Sequence, residues 1–155
     1  MDSRTEAAFT EFVRGRWSAL VRLGYGLTGD QRLAENLARG ALAKAYASWP
    51  RVIRAGGPDV YVRRTMLNAS HGRFRRRRAR GPETSGPDDR SALMTALLRL
   101  PAGQRSVVVL RYWMEMTEAE VAEALGCSVG RVKSQASRAL AKLRASENLA
   151  EEILL

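Results

Sequence analysis

The sequence is poor in the residues most used for covalent and metal chemistry. Its one cysteine, Cys127, has no partner for an internal disulfide and cannot build a cysteine-based metal site. Its one histidine, His71, argues against a Ser-His-Asp triad or a His-rich metal centre. Paired carboxylates, a Gly-rich phosphate loop and metal-ligand spacing are all missing, so the expectation is a non-enzyme with no cofactor and no metal. No stretch approaches the ~20 consecutive apolar residues of a membrane span, which excludes membrane insertion. The first residues, MDSRTEAAFTEF, lack the apolar core of a secretory leader. A reducing, cytoplasmic setting is expected. Lysine is scarce too: Lys44, Lys133 and Lys142 are the three, and every other base is Arg, whose planar fork suits phosphate.

What is present is positive charge. The 155 residues carry 26 Lys+Arg against 16 Asp+Glu, a net of +10. Such a surplus on a small chain points to a polyanion: DNA, RNA or an anionic surface. It is also lopsided. Residues 1–80 hold 17 basic and 6 acidic side chains, whereas residues 81–155 hold 9 and 10. Hydrophobic residues make up 45% of the chain, enough for a buried core.

The long segments read with helical period and none alternates like a strand, so the expected fold is all-α. A first helix is capped by Asp2 or Ser3 and carries Phe9, Phe12, Val13, Trp17, Leu20, Val21 and Leu27 on one stripe. Thr28-Gly29-Asp30 stops it and caps a second helix from about Gln31 to Trp49. Pro50 ends that helix, and Arg51–Gly57 reads as a loop. Pro58 opens a third helix to about Arg78, with Val62, Met66, Leu67 and Ser70 facing in. Residues 81–91, GPETSGPDDRS, form a linker. Asp88 or Asp89 then caps a helix with Leu93, Ala96, Leu97 and Leu100, broken by Pro101. A helix from about Gln104 and two more at 117–125 and 129–145 follow, with an acidic, amphipathic tail at 147–155. The chain thus divides into two small helical domains, 1–80 and 92–155.

The sharpest local signal is TEAEVAEALGCSVGRVKSQASRALAKLR, residues 117–144. Thr117 and Glu120 make a capping box. Gly126 supplies a left-handed residue for a tight turn, and Ser128 caps the next helix. Val132, Ala136, Ala139, Leu140 and Leu143 face inward. This is the pattern of a helix-turn-helix. The outer face carries Arg131, Lys133, Ser134, Gln135 and Arg138, with no acid between 129 and 146. These side chains suit phosphates and major-groove base edges; a solvated basic face on a structural helix pair is the plainer alternative.

The second signal is the third helix, YVRRTMLNASHGRFRRRRAR. Arg63, Arg64, Arg73, Arg75, Arg76, Arg77, Arg78 and Arg80 are eight Arg in eighteen positions with no acid among them. Such a stripe gives strong, salt-sensitive binding by counterion release. Tyr61 and Phe74 lie among them and suit either base stacking or core packing. Trp17, Trp49, Trp113, Met94, Met114 and Met116 read as core, Cys127 as a small filler in the turn, and His71 as a polar residue beside the Arg stripe.

On these two stretches, and over roughly Phe9–Arg144, the sequence resembles the bacterial RNA polymerase sigma factors of the extracytoplasmic-function type, specifically the actinobacterial SigE-like kind. The resemblance implies a sigma-two unit and a sigma-four unit joined by a short linker. The sigma-two unit would bind core polymerase through the second helix, at Glu35, Asn36, Arg39, Gly40 and Lys44. It would open the promoter and hold the minus-10 element as single strand through the loop 51–59 and the third helix: Tyr61, Arg63, Arg64, Asn68, Arg73, Phe74, Arg75, Arg76, Arg77 and Arg78. The sigma-four unit would read the minus-35 duplex through Arg131, Lys133, Ser134, Gln135 and Arg138. The implied partners are promoter DNA, RNA polymerase core and an anti-sigma protein.

One stretch departs from the family pattern. Its Asp-x-x-Gln-Glu on the second helix is here Asn36-Leu37-Ala38-Arg39-Gly40. Two negative charges are lost and a positive one gained on a surface that faces basic groups of the polymerase, so weaker core binding is expected. An Asp common after the helix Asn is here Gly72. Other functions compatible with the residues are a helix-turn-helix regulator that works without polymerase and a sigma-like decoy.

Overall fold

A computed structural model of the chain describes residues 2–79 and 91–146, with side chains described as far as Gly72 and again from Ser91. The linker apart from Ser91, the tail 147–155, and the side chains of Arg73, Phe74, Arg75, Arg76, Arg77 and Arg78 lie outside the described residues. Every regular element among the described residues is helical, in keeping with the all-α expectation.

Helix α1 (Ser3–Thr28) starts at Asp2, whose carboxylate accepts from the Thr5 N–H at 2.8 Å. It stops at Gly29 in the left-handed region (φ 69°), whose N–H reaches the Tyr25 carbonyl. Asp30 caps α2 (Gln31–Ala47) by accepting from Leu33 N–H. The two helices cross closely because Gly24 has no Cβ where one would lie 2.8 Å from the Ala34 backbone.

The region around Pro50 differs from expectation. α2 ends at Ala47, and Trp49–Arg54 form a short helix α3 with Pro50 in its first turn. A proline at that position lacks only an N–H that has no helical acceptor, so it starts a helix as readily as it ends one. Burial of Trp49 and Val52 holds α3 against the bundle. The irregular stretch shrinks to 55–57. α4 (Pro58–Ala79) follows and buries Val62, Met66, Leu67 and Ser70 as expected. Arg16 pairs with Asp59 at 2.6 Å and ties α1 to the start of α4.

Ser91 caps α5 (Ala92–Arg99), accepting from Met94 N–H at 3.1 Å; the cap expected at Asp88 or Asp89 is therefore three or two residues early. α6 (Ala102–Val108) continues into a π-helical turn, Val109–Trp113, that periodicity did not announce. There Met114 N–H bonds the Val109 carbonyl, one residue beyond the α pattern. α7 (Glu118–Leu125) and α8 (Val129–Ala145) are the last helices of the described residues, separated by a turn with Gly126 at φ 68°.

The two helical groups are not held apart. One continuous apolar core runs from Leu20, Leu23, Ala38, Val62 and Met66 of the first into Val109, Leu110, Val121 and Val132 of the second. A smaller core under α5 gathers Met94, Leu97, Leu100, Val108, Ala139 and Leu143.

Candidate nucleic-acid interface

The helix-turn-helix is built as its residues dictate. Thr117 N–H donates to Glu120 Oε1 at 2.9 Å, and Glu120 N–H donates to Thr117 Oγ1 at 3.1 Å. The backbone N–H of Thr117 and then its hydroxyl hold the Glu120 carboxyl below the usual carboxylate range, with a smaller contribution from the Arg63 charge. Ser128 accepts from Arg131 N–H at 3.1 Å and fixes where α8 begins. Val132, Ala136, Ala139 and Leu143 are buried, which commits the opposite side of α8 to solvent.

On that side Arg131, Lys133, Ser134 and Arg138 are all exposed. Gln135 is half-buried and leans toward α6: its Nε2 lies 3.5 Å from the position of a Cβ on Gly103. Ser137, Lys142 and Arg144 are exposed on the same helix. Sequence reasoning passed over Ser137, although it is three residues beyond Ser134 and four beyond Lys133, the spacing that shares a face. The result is a basic face, clear of carboxylates, along a helix preceded by a tight turn. Chemically it can neutralise phosphates and present hydrogen-bond donors to base edges.

The minus-10 candidates are distributed differently. Asn68 is exposed on α4. Tyr61 is half-buried and packs against the main core, so its ring serves the bundle at least in part. Arg63 is half-buried; Arg64 reaches across and donates to the Glu123 carbonyl at 3.0 Å. His71 Nε2 lies 2.7 Å from Ser106 Oγ, so it meets the second helical group. Among the polymerase candidates, Asn36, Arg39, Gly40 and Lys44 are exposed along α2 and Glu35 is half-buried. The Arg39 guanidinium sits 5.5 Å from the centre of the Trp17 ring, a cation–π contact. A side chain added at Gly40 meets nothing within 4 Å.

The fold and this face together define a DNA-binding helix-turn-helix protein with a second, basic helical group. The comparisons with known proteins carry this further. A family model described as Sigma-70, region 4 matches residues 90–143. The RNA polymerase sigma-E factor of Streptomyces antibioticus is 41% identical over 148 residues, covering 88% of this chain and 82% of its own length. That of Streptomyces coelicolor is 40% identical over 148 residues, covering 88% and 84%. The fold is similar to that in the co-crystal structure of the sigma factor RpoE with the anti-sigma factor NepR from Bartonella quintana, with a TM-score of 0.71 at 22% identity over 90% of this chain and 96% of that one. It is also similar to CnrH in complex with the cytosolic domain of CnrY, with a TM-score of 0.66 at 25% identity over 90% and 87%. The chain belongs to the RNA polymerase sigma factors of the extracytoplasmic-function type, and within them to the actinobacterial SigE-like kind. Its function is to direct RNA polymerase to promoters and initiate transcription. A match that runs through both helical groups does not favour a helix-turn-helix regulator or a decoy that works without polymerase. No helix of the described residues is long and apolar enough to cross a membrane.

Proposed function

We propose that the two helical groups divide the promoter between them. Residues 92–155 take the minus-35 element as duplex, with Arg131, Lys133, Ser134 and Arg138 on α8 entering the major groove and Gln135 at the edge of the contact. Residues 1–80 open and hold the minus-10 element, with Asn68 and the Arg stripe of 63–78 on α4 against the displaced strand. The exposed side of α2, at Glu35, Asn36, Arg39, Gly40 and Lys44, meets core polymerase. The chain acts in the cytoplasm, without catalysis of its own. An anti-sigma protein is a further partner, by analogy with RpoE and CnrH, which were solved with NepR and CnrY.

The observation that carries this reading is the basic, acid-free outer face of α8 behind a completed capping box and turn. Run-off transcription with purified core polymerase on promoters selected from a random pool tests it. The expected result is initiation dependent on this chain, from selected sites that share two elements. Selected sites with one element, or none, would refute the division of labour.

A further inference from the structure

Three large apolar side chains stand exposed among the described residues: Tyr46, Ile53 and Val129. Tyr46 has partners, since its hydroxyl donates to Glu6 and its ring meets that of Phe9 edge-on. Ile53 falls in the stretch 51–59 that the resemblance assigns to the minus-10 element. Val129 is the first residue of α8. It is 39% exposed and packs in neither apolar core. Nor does it help α8 to form. A β-branched side chain lowers helix propensity, and Ser128 already supplies the cap.

Gly130, the next residue, is equally unexplained by packing. Where neighbours dictate a glycine, the clash is plain: a Cβ on Gly26 would lie 2.8 Å from both Trp113 Cδ1 and Val109 Cγ1. A Cβ on Gly130 would meet only Ser128 Oγ, at 3.9 Å, which is ordinary contact. Its φ is not positive, so the backbone does not require glycine either. Gly is the poorest helix former after Pro. The first turn of α8 therefore joins an apolar side chain that serves no core to a missing side chain that the fold does not need.

In a helix-turn-helix the first residues of the second helix are those brought to base edges. Val129 neither donates nor accepts a hydrogen bond, so the polar pattern of the bases is closed to it. The major groove offers one apolar group, the C5-methyl of thymine. Lys133, four residues on, shares the face of Val129. Four residues rise ~6 Å, the height of about two base pairs. We propose that Val129 is a specificity-determining residue, packing on the methyl of one thymine in the minus-35 element close to the base pair that Lys133 meets. Gly130 gives the neighbouring strand room to approach the helix backbone and seat that contact. The assignment rests on the reading of α8 as the helix that takes the duplex. Burial of one methyl group corresponds to about a fourfold change in affinity.

The test uses the full chain with core polymerase and a two-element promoter selected with the wild type. Each thymine of the minus-35 element is replaced in turn by deoxyuridine, which keeps every hydrogen-bonding group and removes only the methyl. Titration compares the wild type with Val129→Ala and Val129→Ile, and circular dichroism reads helicity. At one thymine, loss of the methyl should weaken the wild type about fourfold. Val129→Ala should weaken binding to the unmodified promoter by a similar factor and lose nothing further at that deoxyuridine, so the two losses fail to add. Val129→Ile, which keeps the apolar surface, should keep the methyl dependence. Should Val129→Ala lose helicity, Val129→Thr, of the same shape with one methyl turned to hydroxyl, decides the matter by the same comparison. Equal loss by Val129→Ala on thymine and deoxyuridine promoters overturns the proposal. So does a wild type indifferent to every replacement, or an element selected without thymine. Selection of no minus-35 element at all refutes the duplex reading of α8 itself, and the role of Val129 falls with it.

Discussion

Lys133 and Arg138 stand exposed on α8, five residues apart, with Ser134 between them. A side chain that reads a base edge contributes ~1–3 kcal/mol of discrimination, whereas one that holds phosphate weakens all sequences alike. Lys133→Ala and Arg138→Ala should each weaken binding to a minus-35 duplex and shift base preference, measured by titration against a panel of single-base variants. Equal loss across the panel would reduce them to phosphate anchors. On α2, Gly40 faces open space and Asn36 is exposed, so Asn36→Asp with Gly40→Glu is sterically free to restore two negative charges. Polymerase core affinity should rise in a competition assay, by tenfold or more if the pair regains ~1.4 kcal/mol. The helix itself should also gain, since an interior Gly costs ~1 kcal/mol relative to Ala. Arg39 is less simply reversed, because its stacking on Trp17 gives it a place in the fold.

Among the elements, α7 has the most completely specified end. Removing the Thr117 hydroxyl with Thr117→Ala should cost about 1 kcal/mol of stability, measured by denaturant unfolding. The box also has a pH dependence. The folded-state Glu120 carboxyl is held below its unfolded value, so its contribution is present above the ordinary glutamate range and is lost as pH falls through the folded value. Amide exchange in α7 should therefore speed up in acid relative to α8, and Glu120→Gln should remove most of that difference. These ends were readable because capping is local: Asp30, Thr117 and Ser128 each act within three residues and were identifiable from their neighbours, and at the first helix the structure takes Asp2 over Ser3. Two elements were misread for want of equally local evidence. Pro50 is compatible with the end of α2 and the start of α3, and burial of Val52, a tertiary fact, decides between them. Ser91 beat Asp88 and Asp89 to the cap of α5 because three polar candidates in four residues differ only in where the helix begins to pack. The basic face of α8 was legible residue by residue, but Gln135 is half-buried with its Nε2 beside Gly103 of α6, a neighbour 32 positions away in sequence.

At the scale of the molecule, helical period and the Pro/Gly-rich stretch 81–91 divide the sequence into two helical groups, whereas one apolar core runs through both. The contact of α1 with the π turn joins residues some ninety positions apart, and no period or cap encodes such a pairing. The charge does carry a whole-molecule prediction. If six or more phosphates are neutralised, promoter affinity should fall by ~10³-fold or more between ~50 and ~200 mM salt, read as the slope of log K against log salt. Arg-to-Gln changes along 73–78 should flatten that slope without altering base preference.

The π turn has a consequence of phase. Each residue of an α-helix advances the chain by ~100°, so one residue too many in a turn rotates all that follows by that amount. Val109–Trp113 is such a turn, and it lies immediately before the helix-turn-helix. It therefore works as an angular offset, a single codon's worth, that sets the azimuth at which α7 and α8 leave the shared core. Deleting one residue between Val109 and Trp113 should let the helix close to regular geometry and swing the tryptophan away from Gly26. The expected product keeps its helicity and its capped α7 and α8, but elutes larger on gel filtration, with its two halves out of register.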